Sequence, residues 1–101
     1  MKIEVKNSED TLTIKLSGEL DDSNAKEVRE KSDYLIENSN FMKFVYDFKN
    51  LKFMDSTGLG VILGRYKKLK ANRIAMYITN SNTQVMKVIK TSGISEIINI
   101  L

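Results

Sequence analysis

The feature that most constrains the fold is a repeated change in hydrophobic period along the chain. Segments with an apolar residue at every second position alternate with segments whose apolar residues are three and four positions apart. The first spacing predicts strands and the second predicts helices. Their order in 101 residues predicts one domain with the elements β-β-α-β-α-β-α-β. We therefore expect an α/β fold with a mixed, mostly parallel sheet, helices packed against it, and an antiparallel hairpin at its start.

The strand predictions follow from alternation and from β-branched and aromatic residues. Met1–Lys6, with one face buried, and Thr11–Ser17 are expected to form a hairpin around a turn at Asn7–Asp10, and Gly18 is expected to end the second strand. Phe41–Phe48 has apolar residues on both faces, which is typical of a central, covered strand. The last two strands are predicted at Ile74–Thr79 and Glu96–Leu101.

The first and third helices are predicted to follow the polar clusters Asp21–Asn24 and Asn80–Asn82. Each cluster has the spacing of a capping box, in which residues three positions apart bind the main chain at a helix start. The first helix is expected to reach about Asn38, and Gly93 is expected to end the third in a left-handed conformation. The paired capping residues are Asn24 with Glu27 and Ser81 with Gln84.

The second helix is predicted after a loop at Lys49–Asp55 and fades near Asn72. Its helical phase predicts that Arg65 and Lys68 point to solvent, and Gly64 is expected to let the helix approach the sheet closely. Its inward-facing residues are predicted to be Leu59, Ile62, Leu63, Tyr66 and Leu69.

Composition excludes several classes of site. The chain has no cysteine and no histidine, which argues against disulfides, a zinc site, thiol catalysis and the most common general base. No apolar run approaches the roughly 20 residues of a membrane span, and Met1–Lys6 lacks the apolar core of a signal peptide, so a cytoplasmic protein is expected. The net charge is +3. The basic segment Arg65–Arg73 is interpreted as a solvated helix end, and a nucleic-acid surface is the less favoured alternative.

The predicted topology brings the loops after the parallel strands to one edge of the sheet, where binding sites usually form. These loops are Glu19–Asn24, Lys49–Ser56 and Thr79–Asn82. Ser56 begins the second helix, where free N–H groups and the helix dipole would favour a phosphate on its hydroxyl.

Other interpretations of the same residues remain open. An ordinary N-cap followed by packing glycines would produce the same pattern around Ser56. A serine nucleophile is disfavoured because the chain has no histidine to activate it. A metal bound by Asp21, Asp22 and Asp55 is less favoured than helix capping by these residues.

The segment Phe53–Lys67, FMDSTGLGVILGRYK, resembles the signature of the STAS domain, and more closely that of anti-sigma factor antagonists of the sporulation sigma-F type. Gly18–Asp21 resembles a second characteristic segment of that family, and the order of elements matches over nearly all of residues 1–101. Members commonly continue into a C-terminal helix, whereas this chain ends at Leu101. Part of Ile97–Leu101 is therefore expected to be exposed or covered by another chain.

The resemblance implies a switch protein rather than an enzyme, with no metal or cofactor and no direct contact with nucleic acid or membrane. The unphosphorylated form would bind an anti-sigma factor that is also a serine kinase, and so release a sigma factor. Phosphorylation of Ser56 would end that binding, and a serine phosphatase would restore it. A STAS interaction module of another stress or signalling circuit is the alternative. The partner-binding residues implied are Asp21, Asp22, Asp55, Ser56, Thr57, Gly58, Leu59 and Gly60.

Overall fold

A computed structural model of Met1–Leu101 contains the strands and helices in the predicted order, with one added turn of 3₁₀ helix. The elements are β1 (Lys2–Ser8), β2 (Thr11–Leu20), α1 (Ala25–Asn38), β3 (Lys43–Met54), α2 (Ser56–Ala71), β4 (Ala75–Thr79), α3 (Thr83–Thr91), the 3₁₀ turn Ile94–Glu96 and β5 (Asn99–Ile100).

The strands form one five-stranded sheet in the order β1-β2-β3-β4-β5. The β1–β2 pair is antiparallel and the other pairs are parallel, and β3 is central as predicted. Ile14, Tyr46 and Ile78 lie side by side across β2, β3 and β4, and all are fully buried. One face of the sheet therefore supplies the core on which the helices pack.

Tyr46 places a polar group inside this core. Its hydroxyl lies 2.7 Å from the Ser32 hydroxyl of α1, so each buried oxygen has a hydrogen-bond partner. Burial raises the pKa of Tyr46 far above its usual value, so the phenol stays protonated. The bond links the centre of the sheet to α1.

The predicted hairpin of the first two strands is confirmed, but its predicted bounds are wrong. The turn consists of Glu9 and Asp10 alone, which have φ angles of 52° and 64°, so β1 extends to Ser8. Two residues with positive φ match the twist of a tight hairpin. Val5 was expected on a buried face but is 42% exposed, because β1 is an edge strand.

Two predicted strand ends are wrong because local irregularities interrupt the alternation. β2 continues past Gly18, which has φ of 116° and lies at a shift in the β2–β3 register. β3 continues to Met54, so most of the predicted loop Lys49–Asp55 is strand. In this part of β3 the buried residues Leu51 and Met54 are three positions apart, which hid the strand from a search for period two.

The helical phase predicted for α2 is partly wrong. Ile62 and Leu69 are buried as expected, but Leu63 is only half-buried and Arg65 is 8% exposed. Gly64 has open space where a side chain would project, whereas an added Cβ on Gly58 would lie 2.7 Å from the Leu20 carbonyl oxygen. Gly58, rather than Gly64, is the point of close approach.

The C-terminal segment differs most from its prediction. Only Asn99–Ile100 pair as a strand, and the preceding Ile94–Glu96 form the 3₁₀ turn. Gly93 has φ of 82°, which confirms its predicted left-handed conformation. Ile97 is 50% and Leu101 is 72% exposed, in line with the expected exposure of part of this segment.

Candidate functional site

The ends of β2 and β3 meet the start of α2 at one edge of the sheet. The Asp55 N–H donates to the Leu20 carbonyl at 3.3 Å. One turn into α2, Gly58 packs against the side chains of Leu20 and Met54, and any larger residue would collide with them. This packing determines where α2 begins and places Ser56 at its first position.

Asp55 is the N-cap of α2, as predicted. One carboxylate oxygen accepts hydrogen bonds from the Thr57 N–H at 2.9 Å and the Gly58 N–H at 3.1 Å. The Leu59 N–H donates to the Asp55 carbonyl. In the unmodified protein Asp55 therefore occupies three N–H groups at the start of α2, and their binding of a phosphate on Ser56 stays a prediction.

The other residues of this segment are presented to different degrees. Ser56 and Gly60 are exposed, Thr57 and Leu59 are half-buried, and Gly58 is buried. An added Cβ on Gly60 would meet nothing within 4 Å. Of the residues at the start of α2 that are implied as partner-binding, Gly58 therefore has a packing role, and Ser56 and Gly60 are the exposed ones.

Asp21 and Asp22, in the turn between β2 and α1, have different roles, although the sequence pattern does not distinguish them. Asp21 accepts hydrogen bonds from the Ser23 N–H at 3.0 Å and the Ser23 hydroxyl at 2.6 Å, so its carboxylate stabilises the turn. Asp22 is exposed. Asn24 begins α1 without a capping hydrogen bond, and its side chain instead binds the main chain of Glu19 and Asp21. The capping box with Glu27 is wrong.

Gln84 of α3 holds the end of β3, which sequence reasoning missed. Its side-chain oxygen accepts from the Met54 N–H at 3.1 Å, and its amide donates to the Met54 carbonyl at 3.0 Å. Asn82, not Ser81, caps α3 by accepting from the Val85 N–H at 2.8 Å. The predicted capping box of Ser81 and Gln84 is therefore wrong, and Gln84 positions the strand that leads to Ser56.

A groove of about 330 Å³ lies between the start of α2 and α3. We call it the Ser56 groove. Its walls include Asp55, Ser56 and Leu59 on one side and Lys87, Val88 and Thr91 on the other. The contribution of α3 was not predicted, although the convergence of the loops after β3 and β4 was the available signal.

The alternative sites suggested by the sequence are not assembled. No group of three or more acidic side chains lies close enough to hold a metal ion, so Asp21, Asp22 and Asp55 do not form a metal site.

Two cations of the basic segment Arg65–Arg73 form ion pairs with Asp33 of α1. The Arg65 Nε lies 3.0 Å from an Asp33 oxygen, and the Lys68 Nζ lies 3.2 Å from the same oxygen.

The family follows from a match that spans almost the whole chain. Residues 2–101 match the model of the STAS domain. The chain belongs to the STAS domain family. The element order and the mixed, mostly parallel sheet are thus those of a STAS domain, as the resemblance implied.

Curated relatives carry names from sigma-factor control. The chain is 38% identical over 100 residues to an anti-sigma F factor antagonist of Paenibacillus polymyxa, covering 99% of this chain and 86% of that protein. It is 29% identical over 100 residues to the anti-sigma-B factor antagonist of Bacillus subtilis strain 168, covering 99% of this chain and 90% of that protein.

Solved structures agree with this placement. The anti-sigma factor antagonist SpoIIAA in its unphosphorylated form has a TM-score of 0.84 at 29% identity, with 99% of this chain and 88% of that chain covered. The phosphorylated form of the Bacillus cell fate determinant SpoIIAA has a TM-score of 0.76 at 28% identity, with 99% and 91% covered. No helix of this chain is both long and apolar enough to cross a membrane.

Proposed function

We propose that this STAS domain is an anti-sigma factor antagonist whose binding is controlled by phosphorylation of Ser56. The observation that carries the proposal is the exposed residue Ser56 at the first position of α2, in a chain similar to an antagonist that has been solved in phosphorylated and unphosphorylated forms. In the unphosphorylated state the protein binds an anti-sigma factor and thereby releases a sigma factor. The partner is also the serine kinase, and a serine phosphatase reverses the modification.

The contact surface is the edge around Ser56. It includes the exposed Asp22 and Gly60 and the half-buried Leu59, with Asp55 and Thr57 beside the acceptor serine. Asp21 and Gly58 support this surface from within, through the turn and the packing against β2. The protein acts as a binding partner rather than an enzyme, in keeping with a chain that has no histidine to activate Ser56. We place its action in the cytoplasm, with a kinase that uses ATP.

Phosphorylation acts through charge at this surface. A phosphoserine adds about −1.5 to −2 charge at neutral pH. Beside the Asp55 carboxylate, that charge repels an acidic partner surface and is costly to remove from water at any interface. A loss of about 3 kcal/mol is enough to weaken binding more than a hundredfold. Because Ser56 is exposed, the modification requires no rearrangement of the core.

The names of the relatives bear on which sigma factor the protein controls. The relatives include antagonists of anti-sigma F and of anti-sigma-B factors, at 38% and 29% identity. We favour the sigma-F type, and a module of a stress circuit is the alternative.

The experiment is to incubate the protein with ATP and one histidine-kinase-like anti-sigma factor of the same genome at a time. The position of the phosphate is then determined by mass spectrometry. We expect one phosphate, on Ser56, from one of these kinases, and none in Ser56→Ala. Phosphate on Thr57 or Ser81, or none with any of the kinases, would contradict the proposal.

A further inference from the structure

We propose that Lys87 of α3 binds the phosphate carried by Ser56 and holds it across the Ser56 groove. This inference rests on the proposed phosphorylation of Ser56 and concerns where the phosphate goes once it is attached. Nothing in the sequence pattern around Ser56 points to Lys87, which follows it by 31 positions on a different helix.

At the start of α2, Asp55 already occupies three of the N–H groups that could bind a phosphate. An unoccupied helix N-terminus would offer several N–H donors to an anion. Here the Asp55 carboxylate accepts from Thr57 and Gly58, and the Asp55 carbonyl accepts from Leu59. The same carboxylate places a negative charge beside the modified residue. A cation from another element would offset this charge and bind the phosphate.

Lys87 is positioned and free to supply this cation. Lys87 lines the Ser56 groove together with Ser56 itself. Its side chain is exposed, and it takes part in none of the ion pairs of the molecule. A lysine ammonium on four flexible carbons can follow a phosphate that is itself on a rotatable side chain. Thr91 lines the same groove, and a threonine hydroxyl can supply a further donor.

A phosphate bound by Lys87 would also change the surface that a partner contacts. Leu59 and Val88 form apolar parts of the groove wall. A phosphate held by Lys87 would lie across the mouth of the groove and cover these apolar side chains. The modified state then differs from the unmodified state in shape as well as in charge at this surface.

The test installs phosphoserine at position 56 during protein synthesis, so that no kinase is required. The second pKa of the phosphate is then measured by phosphorus NMR titration in the wild-type background, in Lys87→Gln and in Lys90→Gln. Lys90 is the matched control, since it loses the same charge from the same helix but does not line the Ser56 groove. The unmodified Lys87→Gln protein is the control for folding, and it should retain the fold of the unmodified wild type.

We expect Lys87→Gln to raise the second pKa of the phosphate by about 0.2–0.7 unit, the size of an exposed ion pair. Lys90→Gln should change it by less than about 0.1 unit, because Lys90 is exposed and lies outside the groove, where solvent and salt screen its charge. No change in Lys87→Gln, or an equal change in both variants, would overturn the assignment. Either result leaves the identity of the kinase and the phosphorylation of Ser56 unaffected, because both are tested separately.

Discussion

The two halves of α2 differ in what their polar residues contact. In the N-terminal half, Asp55 caps the helix and Ser56 and Gly60 remain exposed. In the C-terminal half, Arg65 and Lys68 are engaged by Asp33, and Lys68 also lies 3.3 Å from a Glu37 oxygen of α1. One half therefore leaves its surface available to a partner, whereas the other uses its charges to bind α1. The comparison predicts that substitutions at Arg65 and Lys68 affect stability, and that changes at Ser56 affect binding.

The largest stability effect is expected from Arg65→Ala. The Arg65 side chain is 10% exposed and its Asp33 partner 26% exposed, so the substitution leaves a carboxylate with less compensation and a gap between α1 and α2. We expect a loss of about 2–4 kcal/mol in the free energy of unfolding. Urea denaturation measures it. The control Lys67→Ala removes an exposed cation of the same helix and should cost less than about 0.5 kcal/mol. Equal losses in the two variants would remove the distinction between buried and solvated charges in α2.

The next effect separates two glycines of the N-terminal half. Gly58→Ala should destabilise the protein by about 1–3 kcal/mol, because the new methyl group would lie 2.7 Å from the Leu20 carbonyl oxygen. Gly60→Ala has open space and should stabilise α2 by up to about 1 kcal/mol through helix propensity. Thermal unfolding of both variants gives the comparison, and a stable Gly58→Ala protein would show that β2 and α2 can separate at no cost.

The smallest effect concerns pH and the C-terminal half. Hydrogen bonds from Lys68 to Asp33, and then to Glu37, raise the pKa of Lys68 above 10.5. A raised pKa stabilises the fold while the lysine is charged, and that contribution disappears as the pH passes through the folded-state value. The difference in unfolding free energy between wild type and Lys68→Met should therefore be constant below about pH 10 and shrink above pH 10.5. A difference that does not vary with pH would show that Lys68 contributes only packing.

The sequence predicted the element order and the N-terminal half of α2 well because both depend on local patterns. Periodicity identifies elements, and an aspartate before a helical segment identifies its N-cap. Asp55 and Gly93 confirm predictions of this kind. The topology rule that gathers loops at one edge also placed the end of β2 beside the start of α2.

The errors arise where a distant partner decides the outcome. Arg65 was expected in solvent, since nothing near it in sequence shows that Asp33 of α1 will lie against it. Gln84 fits a local capping box but binds Met54, 30 positions earlier. The end of β3 was missed because its irregular pairing with β2 removes the period of two. The contacts of Arg65 and Gln84 and the end of β3 all depend on packing between elements, which hydrophobic spacing does not encode.

The central claim is that the charge at Ser56 controls partner binding without altering the fold. The most direct measurement is calorimetric titration of Ser56→Ala and Ser56→Asp with the anti-sigma factor kinase in the presence of ADP. Ser56→Ala should bind as tightly as the unphosphorylated wild type and resist release by ATP. Ser56→Asp should bind at least about a hundredfold more weakly, equivalent to roughly 3 kcal/mol. Both should unfold within about 0.5 kcal/mol of wild type, because Ser56 is exposed and an acidic residue suits a helix N-terminus. Equal affinity of the two variants for the kinase would contradict the account.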